Sequence, residues 1–266
     1  MPPLALNQAT TKYWTLAEAV EGCRRAGITG IGLWRDRIEE IGTERSAALV
    51  RDAGLTVTSV CRGGFFTTGA DAIADNKRAI DETAAVGCGV LVLVCGGLPD
   101  GSSDLAGARA IVTEAIGELA PYAGAAGVQL AIEPMHPMFC SDRGVISTLG
   151  QATDIASQFP ATQVGVVADS YHLWWEPRLE AEIARAAGRI ALVQVSDWVV
   201  PLPAGALLGR GHVGDGSIDN RAFVEATIAA GYSGYVEVEI FNEQVWSTPG
   251  DQTLQTLIER HESTFG

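Results

Sequence analysis

Eight times along this chain, a short run of apolar, often β-branched residues gives way to a longer segment rich in Ala, Glu and Arg. In the longer segments the apolar residues recur about every 3.6 positions, the period of a helix with one buried face. The short runs are residues 4–7, 30–34, 55–61, 90–95, 128–133, 164–169, 190–195 and 235–240. The helical segments between and after them are 15–25, 44–53, 71–86, 105–126, 147–159, 179–187, 219–229 and 252–261. Thr15 with Glu18 three residues on is a capping box, and Gly27 stops that first helix. Pro121 predicts a break in the helix over 105–126. Strands that are almost continuously apolar belong to a parallel sheet covered on both faces. Eight such units in 266 residues predict an α/β fold, a single (β/α)8 TIM barrel spanning residues 1–266. A doubly wound open sheet fits less well, because no G-x-G-x-x-G follows the first strand.

Composition narrows the partners. Acidic residues number 32 against 18 basic, a net charge of −14, and no Lys/Arg cluster offsets it. Phosphate backbones and anionic membranes would be repelled, so neither nucleic acid nor a membrane is an expected partner. No apolar run reaches the roughly 20 residues needed to cross a bilayer, and the start M-P-P-L-A-L-N-Q does not read as a signal peptide. The cysteines, Cys23, Cys61, Cys88, Cys95 and Cys140, are odd in number and form no C-x-x-C. They read as reduced, buried thiols in a cytoplasmic protein.

The chemistry sits at the strand ends. In a (β/α)8 barrel the C-terminal ends of the strands carry the active site. Glu133 ends the fifth strand, Asp169 the sixth, Gln194 lies late in the seventh and Glu239 late in the eighth. Carboxylates facing one another repel unless a cation sits among them. Three carboxylates and a carboxamide oxygen form a hard donor set, which suits Mn2+, with Mg2+ or Co2+ as alternatives. Glu237 and Glu239 lie two apart and face the same side of their strand. Alternation cannot choose between them; Glu239 is nearer the rim, and Glu237 is expected one layer deeper, paired with an Arg or Lys. His136 follows Glu133 by three residues and His172 follows Asp169 by three, equivalent positions for general acid–base work or for holding a hydroxyl. The glycine-rich loop L-G-R-G-H-V-G-D-G after the seventh strand carries Arg210, positioned to bind substrate oxygens. Aromatic residues past the strand ends, Trp14 and Trp198 among them, offer stacking walls for a sugar ring or a flat aglycone.

The motifs A-I-E-P at Glu133, A-D-S-Y-H at Asp169 and His172, Q-V-S-D-W at Gln194, G-D-G-S-I-D at 214–219 and V-E-V-E at Glu239 resemble the xylose-isomerase-like barrel family of sugar isomerases, epimerases and related enzymes. The resemblance covers nearly the whole chain. It implies that Glu133, Asp169 and Glu239 hold a divalent metal, that Glu133 and Glu239 also move protons, and that His172 binds substrate. Three positions depart from the epimerase pattern: Gln194 where many members have His, His136 where epimerases have Asn, and Phe139 and Cys140 where a further Glu is expected. The E-P-M-H and Q-V-S-D-W patterns are similar to the branch that includes the metal-binding subunit of C-glycoside deglycosidases, which works on 3-oxo-glycosides with a smaller partner subunit. The leading expectation is a metal-dependent sugar isomerase or epimerase acting through an enediolate, with Glu133, His136 and Glu239 as catalytic groups. Lyase-type cleavage of a 3-oxo-glycoside and a non-catalytic sugar-binding barrel are the alternatives. A homo-oligomer or a complex with a smaller subunit is the expected assembly. A DNA-repair nuclease would need more than the four histidines present.

Overall fold

The computed structural model describes residues 1–69 and 71–266. Eight strands close into a parallel barrel: β1 (Leu4–Asn7), β2 (Gly30–Trp34), β3 (Thr56–Gly64), β4 (Val90–Val94), β5 (Gln129–Ile132), β6 (Val164–Asp169), β7 (Ile190–Val195) and, after a two-stranded ribbon, β10 (Val236–Val238). Closure is made by β1, which pairs with both β2 and β10. The fold is therefore the predicted (β/α)8 barrel.

Alternation along each strand sorts two cores. Val92, Ala131, Val167 and Leu192 point inward and fill the barrel with Cys61. Leu91, Leu93, Ile132 and Val166 point outward and meet helix residues such as Ile80, Val112, Ile116 and Leu149. The first helix carries its capping box, with Thr15 and Glu18 bonding each other's backbone N–H, and it ends on Gly27 in the left-handed region. All five cysteines are free, and four are buried. Among the described residues no helix is long and apolar enough to cross a membrane.

Two expectations fail for local reasons. Pro121 does not break its helix, which runs unbroken over Leu105–Ala125. Pro121 lies on the exposed face, so the Gly117 carbonyl that it leaves unpaired can be hydrated. The long loop after β7 is not irregular throughout. It holds the antiparallel ribbon β8 (Asp197–Trp198) and β9 (Arg210–Gly211), pairing Trp198 with Arg210. Asp197 staples it by accepting from the backbone N–H of Gly214 and of Ile218, both at 2.9 Å. The ribbon turns Arg210 back over the C-terminal mouth of the barrel.

Candidate active site

Asp169 closes β6, while Glu133 and Glu239 lie one residue beyond β5 and β10 with their backbones still in the ladder. Glu133 N–H donates to the Leu93 carbonyl at 3.1 Å, and Glu239 N–H to the Val195 carbonyl at 3.2 Å. Arg210 enters between the carboxylates. Its Nη1 lies 2.9 Å from Asp169 Oδ2 and 3.2 Å from Glu239 Oε2, and its Nη2 lies 3.1 Å from His172 Nε2. The guanidinium also stacks on the Tyr171 ring at 4.6 Å. Ligand atoms of Glu133, Asp169 and His172 fall within 4.8 Å of one another, as metal-binding groups would. A chamber of about 150 Å³ opens onto Glu133, His172, Arg210 and Glu239, walled by Trp34, Phe65 and Phe241.

Burial governs the protonation of this cluster. It holds the Glu133 carboxyl well above the usual range, reinforced by the neighbouring Glu239 and Asp169 charges. It pushes Glu239 up to about 8, with Arg210 opposing. Asp169 is raised too, again by burial, and Arg210 partly offsets it. His172 is driven well below its ordinary value by burial and then by the Arg210 charge, so the imidazole is neutral.

Glu237 resolves differently from its expectation. It does lie one layer deeper, but among the described residues no Arg or Lys pairs with it. Neutral donors satisfy it instead: Asn7 Nδ2 at 2.7 Å, Gln194 Nε2 at 2.9 Å, the Ser59 hydroxyl at 2.9 Å and the Thr58 hydroxyl. Gly32 makes the room, since a Cβ there would sit 2.6 Å from the Glu237 carboxylate. Gln194 is thus anchored from below through its amide nitrogen. Its Oε1 is buried without a hydrogen-bond partner among the described residues.

Not every residue named from the sequence reaches the chamber. Trp14 packs against Gly22, Gly250 and Leu254, because the first and last helices leave a glycine-lined slot for its ring. Trp198 stacks on Tyr171 at 4.8 Å and His136 on Trp198 at 5.1 Å, forming an aromatic layer behind His172. His136 meets His172 through its backbone N–H, which donates to Nδ1 at 3.2 Å. Its ring stays outside the chamber wall. Trp34, one of the aromatics expected past the strand ends, does line the chamber, whereas sequence reading missed Phe241, Arg62 and Arg143, which line it too. Their one available signal was position just past a strand end or in a glycine-rich loop.

The donor set fits a divalent cation. Glu133, Asp169 and Glu239 bring three buried carboxyl groups around the guanidinium of Arg210, and the Gln194 oxygen is buried without a partner among the described residues. Carboxyls that burial and one another's charge disfavour as anions, together with an orphaned oxygen acceptor, are what an M2+ ion would satisfy.

Comparison with known proteins accords with this geometry. Residues 20–263 match the family model described as xylose isomerase-like TIM barrel. The chain belongs to this family. It is 28% identical over 153 residues to an inosose isomerase of Bacillus licheniformis, covering 57% of this chain and 54% of that protein. It is 26% identical over 253 residues to a 3-dehydroshikimate dehydratase of Pseudomonas aeruginosa, covering 88% of this chain and 37% of that protein. The chain therefore spans about half, or less, of the length of these curated relatives. A crystal structure of a Sinorhizobium meliloti 1021 protein shares 44% identity and a TM-score of 0.95 over 98% of both chains.

Proposed function

We propose that this family member is an isomerase or epimerase of a sugar-like polyhydroxy carbonyl compound, working by proton transfer next to the carbonyl with a divalent metal at the rim. The observation that carries the reading is the pair Glu133 and Glu239, two carboxylates of raised pKa opening onto one chamber with Arg210 and a neutral His172. Glu133, Asp169, Gln194 and Glu239 are the residues that would hold the ion, and their oxygens favour Mn2+ over a thiolate-seeking metal. When bound, the ion supplies positive charge that polarises the carbonyl and acidifies the adjacent C–H. Glu133 removes that proton, and Glu239 returns one to the enediolate from its own side of the chamber. A carboxylate whose pKa lies nearer neutrality is the better matched acid–base group. Arg210 donates to the oxygen on which negative charge develops, and His172 holds a hydroxyl. His136 fixes the His172 ring through the backbone bond to Nδ1.

The isomerase relative supports this assignment. The test is incubation of candidate ketoses in D2O with the Mn2+-loaded protein, following deuterium at the carbon next to the carbonyl. Exchange is expected, and Glu133→Gln should slow it by about 100- to 10,000-fold. Undiminished exchange in that variant, or in EDTA-stripped protein, would sink the reading.

A second reading is elimination, favoured by the dehydratase relative matched across 88% of the chain. The same proton removal followed by departure of a β-leaving group makes a lyase, and a 3-oxo-glycoside handled with a smaller partner subunit is one form of it. Product mass separates the two, since isomerisation conserves composition while elimination loses water or an aglycone.

A further inference from the structure

The chamber that holds the carboxylates is also lined by Arg62 and Arg143. Most arginines around the rim are already occupied. Arg35 is clasped by Asp75 at 3.0 Å and Glu82 at 2.6 Å, and Arg210 by Asp169 and Glu239. Arg62 differs: among the described residues its guanidinium has no ion pair and lies over the Phe65 ring at 4.1 Å. Among the described residues Arg143 reaches only its chain neighbour Asp142, at 3.6 Å, a pair largely open to water and worth little.

Both are set by backbone rather than left on mobile surface. The β3–β4 ladder pairs Cys61 with Val92 and Gly63 with Leu93, skipping Arg62, so Arg62 sits on a bulge. A bulge re-aims the side chain it carries. Arg143 is held by the loop after β4: Gly96 N–H donates to its carbonyl at 2.8 Å, and Arg143 N–H donates to the Phe139 carbonyl at 2.9 Å. Gly97 packs so closely there that a Cβ would meet the Asp142 backbone at 2.5 Å. The bulge at Arg62 and the backbone bonds of 96–97 with the loop carrying Arg143 thereby bring two guanidiniums to one opening. The two charges repel, adding to the burial that lowers the Arg62 pKa. The Glu133 carboxyl attracts Arg62 less than burial and Arg143 disfavour its charge, so an anion at this opening would gain from both guanidiniums.

We infer that the substrate of this site carries a carboxylate or phosphate at the end remote from the reacting carbon, and that Arg62 and Arg143 hold it at the chamber mouth. This rests on the reading of the chamber as a substrate site and narrows it from neutral sugars to anionic ones. Guanidinium forks suit both anions, since each presents paired oxygens.

The test compares D-fructose, D-fructuronate and D-fructose 6-phosphate, which differ only at C6, by titration calorimetry on Mn2+-loaded protein. At least one anion is expected to bind about tenfold or more tightly than D-fructose, and which one does so names the group. The Arg62→Ala/Arg143→Ala double variant should lose that preference, with its melting temperature unchanged and with D-fructose affected far less than the anions. Arg62→Lys should keep part of it, and added salt should shrink it. Equal affinity for all three compounds, including binding of none, overturns the inference, as does a double variant that keeps the preference. D-fructose binding and exchange without anion preference would leave the proton-transfer reading standing. Anion preference without C–H exchange would remove that reading and leave this one.

Discussion

At the residue scale, position in the strand decides what a side chain can do. Glu237 and Glu239 are the same residue type on the same face of one strand, yet their surroundings differ. Glu237 is enclosed by Asn7, Thr58, Ser59 and Gln194 and has no open side. Glu239 faces the chamber and Arg210. Two residues of chain therefore separate an enclosed carboxylate from one that faces the chamber. Gln194 donates to Glu237 and leaves Oε1 without a partner among the described residues. If that oxygen is the weak member of the donor set, Gln194→His should tighten metal binding by about tenfold, because imidazole is the stronger ligand and its second nitrogen can still donate to Glu237. Competition against a chelating dye measures this, and an unchanged affinity would take Gln194 out of the site.

At the scale of elements, strand ends aim the reactive groups and glycines make the clearances. The motifs at Glu133, Asp169 and Glu239 were legible in the sequence because a strand has a period of two and a barrel gathers the C-terminal ends of its strands. The ribbon of β8 and β9 was not legible, since it depends on Asp197 gathering backbone N–H groups from 214 and 218. Without the ribbon, Arg210 would be one more loop arginine. Trp14 shows the opposite failure: it lies past a strand end, yet a slot beside Gly22 and Gly250 takes its ring away from the site. Gly32 yields the test at this scale. Gly32→Ala would drive a methyl into the Glu237 carboxylate and unseat its donors. The expected cost is about 2–4 kcal/mol of unfolding free energy, read from denaturant melts. A neutral result would mean that the Glu237 enclosure is not rigid.

At the scale of the whole molecule, the barrel holds together a cluster of like charges that it would not tolerate ionised and unpartnered. The Glu239 pKa rises from 4.5 to about 8 on burial, with Glu133 and Asp169 displaced in the same direction. For a group whose folded pKa is raised, the contribution to stability is full below the unfolded value and is lost as pH climbs through the folded one. Metal-free protein should therefore lose thermal stability between pH 4.5 and about 8. A saturating divalent cation should restore it, raising the melting temperature by on the order of 5–10 °C, and more at the upper end of that window than at the lower. Scanning calorimetry across the window, with and without Mn2+, measures both slopes. A metal-free protein whose stability is flat across it would mean that the carboxylates share their protons differently.

The sequence by itself determined the barrel and the carboxylates at its rim, because hydrophobic periodicity is a local property and the strand ends follow from it. Only the tertiary structure decided which rim groups meet. Arg210 between Asp169 and Glu239, Gln194 spanning from Glu237 toward the rim, and Arg62 beside Arg143 join residues far apart in the chain. Those meetings depend on a bulge, a ribbon and a few glycine clearances. None of these leaves a periodic trace, since each arises from backbones approaching one another in space.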